Sequence, residues 1–317
     1  MTILVTGANG YLGNNLVKRL VAQGRNVRAV VRDPDKTVKR LGGIVSKIEI
    51  VNGDVREREQ IRPLFEGVST VIHLAAIAIE KGGATYDTVN HQGTINVVDA
   101  AVSAGVTRFV NMSQNGAAPD SPYAFLRSKG RAQGYVAEHA PRWTALRPSA
   151  IFGPQDEFFN TFARLLKITP IMFPLVGGGK ALFQPVSVED VAEATVRSVS
   201  DDSTIGKELA LGGPEVLTLG EIEKRVMQAV GARRVMIPAP IGLLRPAVWV
   251  MERVLSGSPV TTGLLDLLAL PNVIEDNALV SHFKMDPTPF SGRHLDYLRA
   301  NTFSGTLAKF LRDATVN

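Results

Sequence analysis

A glycine-rich turn between a strand and a helix constrains this chain more than any other feature. It reads TGANGYLG over residues 6–13, directly after an apolar run and before a helical pattern. Gly7 permits a tight turn, Gly10 lets backbone approach a pyrophosphate, and Gly13 lets the helix lie close to the sheet, while the helix N-terminus presents free N–H groups. The segment predicts a dinucleotide-binding turn, with a plain turn as the alternative. The residues expected to contact the dinucleotide are Gly7, Asn9, Gly10, Tyr11, Leu12 and Gly13.

Strand-like and helix-like patterns alternate through the first half of the chain. None of the β-branched runs is paired with a neighbour as a hairpin. This alternation predicts an α/β fold, a Rossmann-type doubly wound parallel sheet with right-handed crossovers. We expect strands over residues 3–6, 27–31, 48–51, 71–74, 108–112 and 144–147, and helices over 11–22, 94–104 and 125–139.

The second half has a looser pattern, interrupted by proline and by a run of three glycines. It predicts a smaller C-terminal α/β cap. Helices are expected over residues 157–167, 188–200, 219–230 and 295–311. We therefore divide the chain into a dinucleotide-binding domain over 1–153, to which some later segments return, and a cap and partner-binding region over 154–317.

Composition excludes several classes of function. The 317 residues include no cysteine, which rules out disulfides, thiolate zinc sites, iron–sulfur clusters and cysteine nucleophiles. The five histidines have no paired spacing, so we expect no metal site. The 35 basic and 30 acidic residues form no like-charge run, which argues against a nucleic-acid partner. No apolar run reaches ~18 residues, so we expect no transmembrane segment. Because an apolar run follows Met1-Thr2 at once, we also expect no signal or transit peptide.

The end of the second predicted strand indicates which dinucleotide is preferred. An acidic residue there binds a ribose 2′-hydroxyl, whereas Arg32 can pair with a 2′-phosphate through its planar guanidinium. We expect NADP(H) to be preferred over NAD(H), with a solvated Arg32 and an acidic role for Asp33 as the alternative. After the third strand, Asp54 and its neighbour Val55 are expected at the cofactor. Asp54 could accept from an adenine amino group or cap a helix that begins at Arg56.

Small residues end the fourth predicted strand. Leu74, Ala75 and Ala76 would let backbone pass close beneath a cofactor. His73, directly before them, is expected to be a core histidine.

These motifs together resemble the short-chain dehydrogenase/reductase superfamily in its extended or atypical form. The resemblance rests on the glycine turn, on DV at 54–55, HLAA at 73–76 and RPS at 147–149 in the family's order, and on FQPVSVEDVA at 183–192. It covers most of the chain. It implies that Pro148 lies at the cofactor and that Lys129 binds the nicotinamide ribose.

The superfamily's catalytic pattern is incomplete in this chain. In the family a serine or threonine, a tyrosine and a lysine four residues later transfer the proton while hydride moves to or from nicotinamide. Lys129 matches the lysine, and Ser113 is the only hydroxyl in the SQN run after the fifth strand. Phe125 stands where the tyrosine is expected, and it has no titratable proton.

Tyr123 is the alternative proton donor. On a helix of about 100° per residue, positions 125 and 129 lie about 40° apart, whereas 123 and 129 lie about 120° apart. Only a non-helical or shifted first turn after Pro122 would direct the Tyr123 hydroxyl toward nicotinamide. We therefore expect intact binding machinery and defective proton-transfer machinery.

The C-terminal half narrows the resemblance to one branch. Residues 126–129 (LRSK), 209–218 (LALGGPEVLT) and 264–277 are similar to the atypical branch that contains the nucleotide-binding accessory subunit of respiratory complex I. This implies a cofactor-holding accessory subunit of a complex I-type NADH:quinone oxidoreductase. It also implies protein partners at a membrane surface, on the cytoplasmic side and peripheral to the inner membrane. The alternatives are a soluble NADPH-dependent reductase or isomerase of a small carbonyl or quinone, and a redox sensor of NADP(H) occupancy.

Residues 237–270 carry more apolar side chains than one small cap helix buries on one side. A surface that faces a membrane subunit or the bilayer, with Arg245 and Arg253 toward headgroups, would account for them. The core of the cap is an equal alternative. The side chains concerned include Leu243, Leu244, Trp249, Val250 and Leu255.

Overall fold

The computed structural model describes residues 1–169, 171–254, 261–300 and 305. The strands are β1 (Thr2–Thr6), β2 (Asn26–Val31), β3 (Glu49–Asn52), β4 (Val68–His73), β5 (Arg108–Met112), β6 (Trp143–Pro148), β7 (Ile151–Phe152), β8 (Met172–Val176), β9 (Leu182–Phe183), β10 (Val186–Ser187), β11 (Lys207–Leu211), β12 (Leu217–Thr218) and β13 (Val235–Ala239). The helices are α1 (Tyr11–Ala22), α2 (Pro34–Leu41), α3 (Arg58–Ile61), α4 (Gly93–Ser103), α5 (Ala124–His139), α6 (Phe158–Ile168), α7 (Val188–Ser200), α8 (Leu219–Ala229), α9 (Ile241–Val254), α10 (Thr262–Leu268) and α11 (Ala278–Ser281).

Two compact units are formed. The first comprises residues 1–148, 188–211 and 276–285, and the second comprises the described parts of 149–187, 212–275 and 286–317. Helix α7 and strand β11 thus belong to the first unit, although the chain reaches them only after passing through part of the second.

The first unit is built on a seven-stranded sheet in the order β11-β6-β5-β4-β1-β2-β3. Every neighbouring pair is parallel. The chain leaves β1 toward β2 and β3 on one side and returns to β4 on the other, so the strand order reverses between β1 and β4. In open parallel sheets, ligands bind at the carboxyl ends of the strands beside such a reversal.

Apolar side chains explain why these strands lie inside the molecule. Leu4, Val71 and Phe109, from three adjacent strands, are fully buried in one core cluster. Helix α1 packs with α7, and α4 packs with α5. Residues buried on both faces of the sheet produce the continuous apolar runs typical of parallel strands.

The second unit contains three two-stranded pairs and a separate core. Strands β7 and β10 pair in parallel, β8 and β13 pair in parallel, and β9 and β12 pair antiparallel. Its core contains buried phenylalanines, among which the rings of Phe152, Phe159 and Phe290 contact one another. Helices α6, α8, α9 and α10 contribute to that core.

The predicted fold class, a Rossmann-type parallel sheet with a smaller α/β region, is confirmed. Helices α1 and α7 and strand β5 have the predicted bounds. The prediction for 295–311 differs: residues 292–300 form a 3₁₀ helix, and 301–304 and 306–311 lie outside the described residues. Leu255, expected in the apolar surface, also lies outside them. In the part of the chain that the structure describes, no helix is both long enough and apolar enough to cross a bilayer.

Candidate functional site

The glycine turn is held against the end of β4 by backbone contact. Gly7 has a φ of +67°, and a Cβ placed there would lie 2.9 Å from the Ala75 nitrogen. A Cβ on Gly13 would lie 2.2 Å from the Gly7 carbonyl oxygen. A side chain at either position would therefore collide with main-chain atoms, which agrees with the tight turn and close helix packing predicted from the glycine spacing.

The amino end of α1 is open to an anion. Gly10 is the N-cap residue and has no side chain to accept a hydrogen bond from the first-turn N–H groups. The first turn contains no acidic residue. The N–H groups of the first turn point out of the helix end and, with the positive end of the helix dipole, fit a pyrophosphate. Tyr11 and Leu12 belong to this first turn, and Leu12 is buried.

Asn9 links the turn to the start of α2. Its side-chain amide donates to the Thr37 hydroxyl at 3.1 Å, and that hydroxyl donates to the Asp33 carbonyl at 2.7 Å. Asn9 therefore positions the turn, which is a different role from the direct cofactor contact that the motif predicted. That contact stays a prediction.

Arg32 and Asp33 lie in different environments at the end of β2. The Asp33 carboxylate caps α2, accepting from the Lys36 backbone N–H at 3.0 Å, and these contacts lower its pKa. Lys36 also pairs with it at 3.0 Å. Arg32 is exposed and forms no ion pair with a described residue. Of the two side chains, the guanidinium is the one left available to a ligand.

Asp54 does not cap a helix. Helix α3 begins at Arg58 with Glu57 as its N-cap, so the prediction of a helix starting at Arg56 is wrong. The Asp54 carboxylate instead accepts from the Arg56 backbone N–H at 3.0 Å and pairs with its guanidinium at 2.7 Å. Burial alone would raise the pKa of Asp54, but Arg56 and the positive charge of Arg32 hold it below its ordinary value.

Val55 is buried, and its carbonyl accepts from the Asn96 amide at 2.9 Å. This contact fixes the loop after β3 to helix α4. Pro148 ends β6, and its carbonyl accepts from the Asn115 N–H at 3.0 Å. Both residues are thus placed beside the carboxyl ends of the strands, and their contact with a cofactor stays a prediction.

His73 is a core residue, as predicted. Its ring nitrogens lie 2.7 Å from the Thr6 hydroxyl and 2.9 Å from the Thr94 hydroxyl. Burial lowers the pKa of His73 to about 3, and the charge of Lys129 acts in the same direction. The Thr6 hydroxyl also receives the N–H groups of Leu74 and Ala75. Thr6 therefore shapes the small-residue run that passes beside Gly7, at the start of which Leu74 and Ala75 are half-buried and Ala76 is exposed.

The Lys129 ammonium reaches the end of β5, where Ser113 follows the last residue of the strand. The Lys129 ammonium is buried and donates to the Met112 carbonyl at 2.5 Å. Burial lowers its pKa to about 8. The Ser113 hydroxyl follows Met112, is buried, and has no hydrogen-bond partner in the described part of the chain. A buried hydroxyl without a described partner, close in the chain to the carbonyl that holds a buried ammonium, fits a site that binds a polar ligand.

The position of the expected tyrosine is occupied by the Phe125 ring. Phe125 is half-buried and makes an edge-to-face contact with Tyr86, with ring centroids 5.7 Å apart. The Tyr86 hydroxyl donates to the Ala78 carbonyl at 2.9 Å. Sequence reasoning missed Tyr86 because it lies 39 positions before Phe125, on a different element.

Tyr123 is the N-cap of α5, with extended backbone angles of −88° and 119°. It therefore precedes the first helical turn, and the angular argument that directed it away from Lys129 does not apply to it. Its side chain is half-buried.

The comparisons with known proteins agree with this geometry. Residues 7–202, more than half of the chain, match a family model described as NAD(P)H-binding. The chain belongs to this NAD(P)H-binding family. Its cofactor is accordingly a nicotinamide dinucleotide, and the turn, the helix dipole and the buried Lys129 are features of this chain that fit one.

Two curated relatives and one solved structure illustrate the range of this family. The "NADH dehydrogenase [ubiquinone] 1 alpha subcomplex subunit 9, mitochondrial" of Arabidopsis thaliana is 29% identical, covering 87% of this chain and 71% of that protein. The "divinyl chlorophyllide a 8-vinyl-reductase, chloroplastic" of Oryza sativa subsp. indica is 27% identical, covering 98% and 77%. The UDP-glucose 4-epimerase of Thermus thermophilus in complex with NAD has a TM-score of 0.69 at 22% identity, covering 97% and 99%. The last likeness concerns the fold alone.

Proposed function

We propose that this protein holds NADP(H) as an accessory subunit of a complex I-type NADH:quinone oxidoreductase, without turning over a substrate of its own. The observation that carries the proposal is the pairing of a retained binding site with a lost proton donor. Lys129 is buried and anchored at the end of β5, whereas Phe125 supplies no proton at the position where the family has tyrosine. The naming of a relative as a complex I subunit supports it.

The location belongs to the same proposal. The protein would bind other subunits at a membrane surface, on the cytoplasmic side and peripheral to the inner membrane. The Arabidopsis relative is named as a mitochondrial subunit of NADH dehydrogenase [ubiquinone], which supports a place within the same kind of assembly.

The preference for NADP(H) rests on the different situations of two neighbouring side chains. Asp33, which could otherwise accept from a ribose 2′-hydroxyl, is held by the α2 backbone and by Lys36. Arg32 remains exposed and can offer its planar guanidinium to a 2′-phosphate. The remaining residues bind and orient the dinucleotide: the glycine turn holds the pyrophosphate, and Lys129 holds the ribose on the nicotinamide side.

The first test is to identify the nucleotide released on denaturation of protein purified without additives, and to titrate NADPH and NADH into the apo form. Arg32→Ala should raise the dissociation constant for NADPH at least about tenfold, because a charge-assisted contact is lost, and leave that for NADH unchanged. Arg131→Ala is the matched control, because Arg131 is exposed on α5. Equal effects on both nucleotides would refute the assignment of Arg32.

The accessory role is tested by turnover and by purification. We expect that the isolated protein does not oxidise NADPH with a panel of carbonyls and quinones. We also expect it to co-purify with membrane subunits of an NADH:quinone oxidoreductase. Steady turnover by the isolated protein would overturn it.

A soluble NADPH-dependent reductase is the second candidate. It is favoured by the extended backbone of Tyr123, which frees its side chain from the helical arrangement, and by the naming of a relative as a reductase. This candidate would be established if the protein oxidised NADPH with a substrate, if Tyr123→Phe abolished that activity, and if Tyr86→Phe left it intact. Tyr86 is the suitable comparison because its ring contacts Phe125.

A further inference from the structure

Exposed apolar side chains are concentrated in three elements of the second unit. Of the fourteen large apolar residues that are exposed in the described part of the chain, six lie in β8, β13 and α9. They are Met172, Val235, Ile237, Leu243, Trp249 and Val250. Exposed apolar side chains concentrated in this way indicate a candidate interaction site.

Helix α9 is apolar on two opposite faces. Its inner face packs against the core of the second unit through Ile241, Leu244, Val248 and Met251. On the far side, Leu243 is 76% exposed and Val250 is 51% exposed. At about 100° per residue these two lie roughly 180–200° around the helix from Ile241. A helix with apolar side chains on two opposite faces is normally covered on both of them.

The pair of strands β8 and β13 adds a second apolar face. Met172 and Val235 are partners in the parallel register, as are Pro174 and Ile237. Register partners lie on the same face of a sheet. All four are exposed, whereas Phe173, on the opposite face, is buried in the core. Only Pro240 separates β13 from α9 in the chain.

Positive charge borders these apolar faces. The Arg253 guanidinium lies 3.7 Å above the Trp249 ring, and neither it nor the exposed Arg233 pairs with a carboxylate among the described residues. Arg245 pairs with Asp266 at 3.1 Å. The one acidic residue of α9, Glu252, accepts from the Thr262 N–H at 2.9 Å. A tryptophan beside arginine is suited to a boundary between hydrocarbon and charged headgroups.

We propose that the outer faces of α9 and of the β8–β13 pair form a docking surface for an anionic lipid bilayer. The described part of α9, residues 241–254, is shorter than the about 20 residues that span a bilayer, so we place this part in the interfacial plane. A second copy of this chain fits less well. A two-fold contact through the same surface would bring unpaired arginines together. The inference rests on the proposed function only for the location at a membrane.

Vesicle binding by the full-length, nucleotide-free protein tests the surface directly. The chain has two tryptophans, so Trp143→Phe leaves Trp249 as the only fluorescent tryptophan. Vesicles of phosphatidylcholine with phosphatidylglycerol should shift Trp249 emission to the blue and sediment the protein, and phosphatidylcholine alone should do so weakly. Arg253→Gln and Arg233→Gln should each lower the partition coefficient about fivefold, and added salt should weaken it further.

The apolar contribution is tested by a matched pair of double variants. Leu243→Ser with Val250→Ser should lower partitioning about tenfold, because the buried apolar area is lost. Val102→Ser with Val280→Ser removes exposed apolar side chains from the first unit and should have no effect.

Three outcomes would overturn the inference. The first is that the protein does not bind vesicles. The second is that the two double variants partition equally. The third is that the protein binds itself or a membrane subunit but no vesicle, and that Leu243→Ser with Val250→Ser abolishes this binding. Vesicle binding by a protein that binds no nucleotide would refute the proposed function and leave this surface intact.

Discussion

Replacing Glu223 by glutamine removes a carboxyl that is buried in α8 of the second unit without a partner. The side chain is 1% exposed, and neither carboxylate oxygen has a hydrogen-bond partner among the described residues. Burial raises the pKa of Glu223 to about 8 from an ordinary 4.5, because the charged form loses its solvation. Glutamine has nearly the same shape as the protonated acid and cannot ionise.

The sign and size of the effect follow from proton linkage. The native state keeps a proton on Glu223 up to about pH 8, whereas the unfolded state releases it near 4.5. The native state therefore binds more protons between these values, and the free energy of unfolding falls as the pH rises. From pH 5 to pH 8 the loss amounts to about 3 kcal/mol. Glu223→Gln should lack this loss and be about 4 kcal/mol more stable than the native sequence at pH 8, because part of the loss has already accrued at pH 5.

Urea unfolding between pH 5 and pH 8 measures the difference. Trp249 fluorescence in a Trp143→Phe background reports on the second unit. Glu275→Gln is the control, because Glu275 is exposed in the same unit. Parallel pH profiles for the native sequence and Glu223→Gln would refute the claim that Glu223 is buried without compensation.

Three further predictions concern other parts of the fold. Gly13→Ala should lower the free energy of unfolding by about 1–3 kcal/mol and abolish NADPH binding in titrations, because the new methyl overlaps the Gly7 carbonyl. Gly134→Ala is the control: it lies in open space on α5 and should raise the free energy of unfolding by about 0.5–1 kcal/mol. Lys129→Met should weaken NADPH binding. It should also raise the free energy of unfolding of the apo protein at pH 7 by about 2 kcal/mol in urea titrations, because burial disfavours the charged form of Lys129. A lower stability of the apo variant would contradict this. Tyr297→Phe should lower the unfolding free energy at pH 7 by about 1 kcal/mol, since the hydroxyl donates to buried Asp156 at 2.7 Å, and an unchanged value would contradict it.

Periodicity predicted the first unit well because its strands and helices are long enough to show it. The bounds of α1 and of β5 were predicted to the residue. In the second unit, strands such as β7 and β9 have two residues each, too few for an alternating pattern to be recognised. These short strands form because they pair with segments that are distant in the sequence, and a local sequence pattern does not reveal such pairing.

The site could be predicted where one local segment builds it and not where distant segments meet. The glycine turn is local, and its geometry is as expected. The contact of Tyr86 with Phe125 joins two elements that no motif connects. Asp54 shows a different limit. Its carboxylate could cap a helix or pair with the Arg56 guanidinium, and the conformation of the loop decides between these two partners. A capping rule alone therefore predicted a helix start at Arg56 that the structure does not have.

The clash of a Cβ at Gly7 with the Ala75 main chain has an evolutionary consequence. Because the obstacle is backbone, no second substitution at residue 75 can make room, and a change at residue 7 has no compensating partner there. Gly7 and Gly13 should therefore persist in any descendant that keeps this sheet, with or without a nucleotide. Arg32, which forms no ion pair with a described residue, is the position at which a lineage released from NADP(H) should drift first.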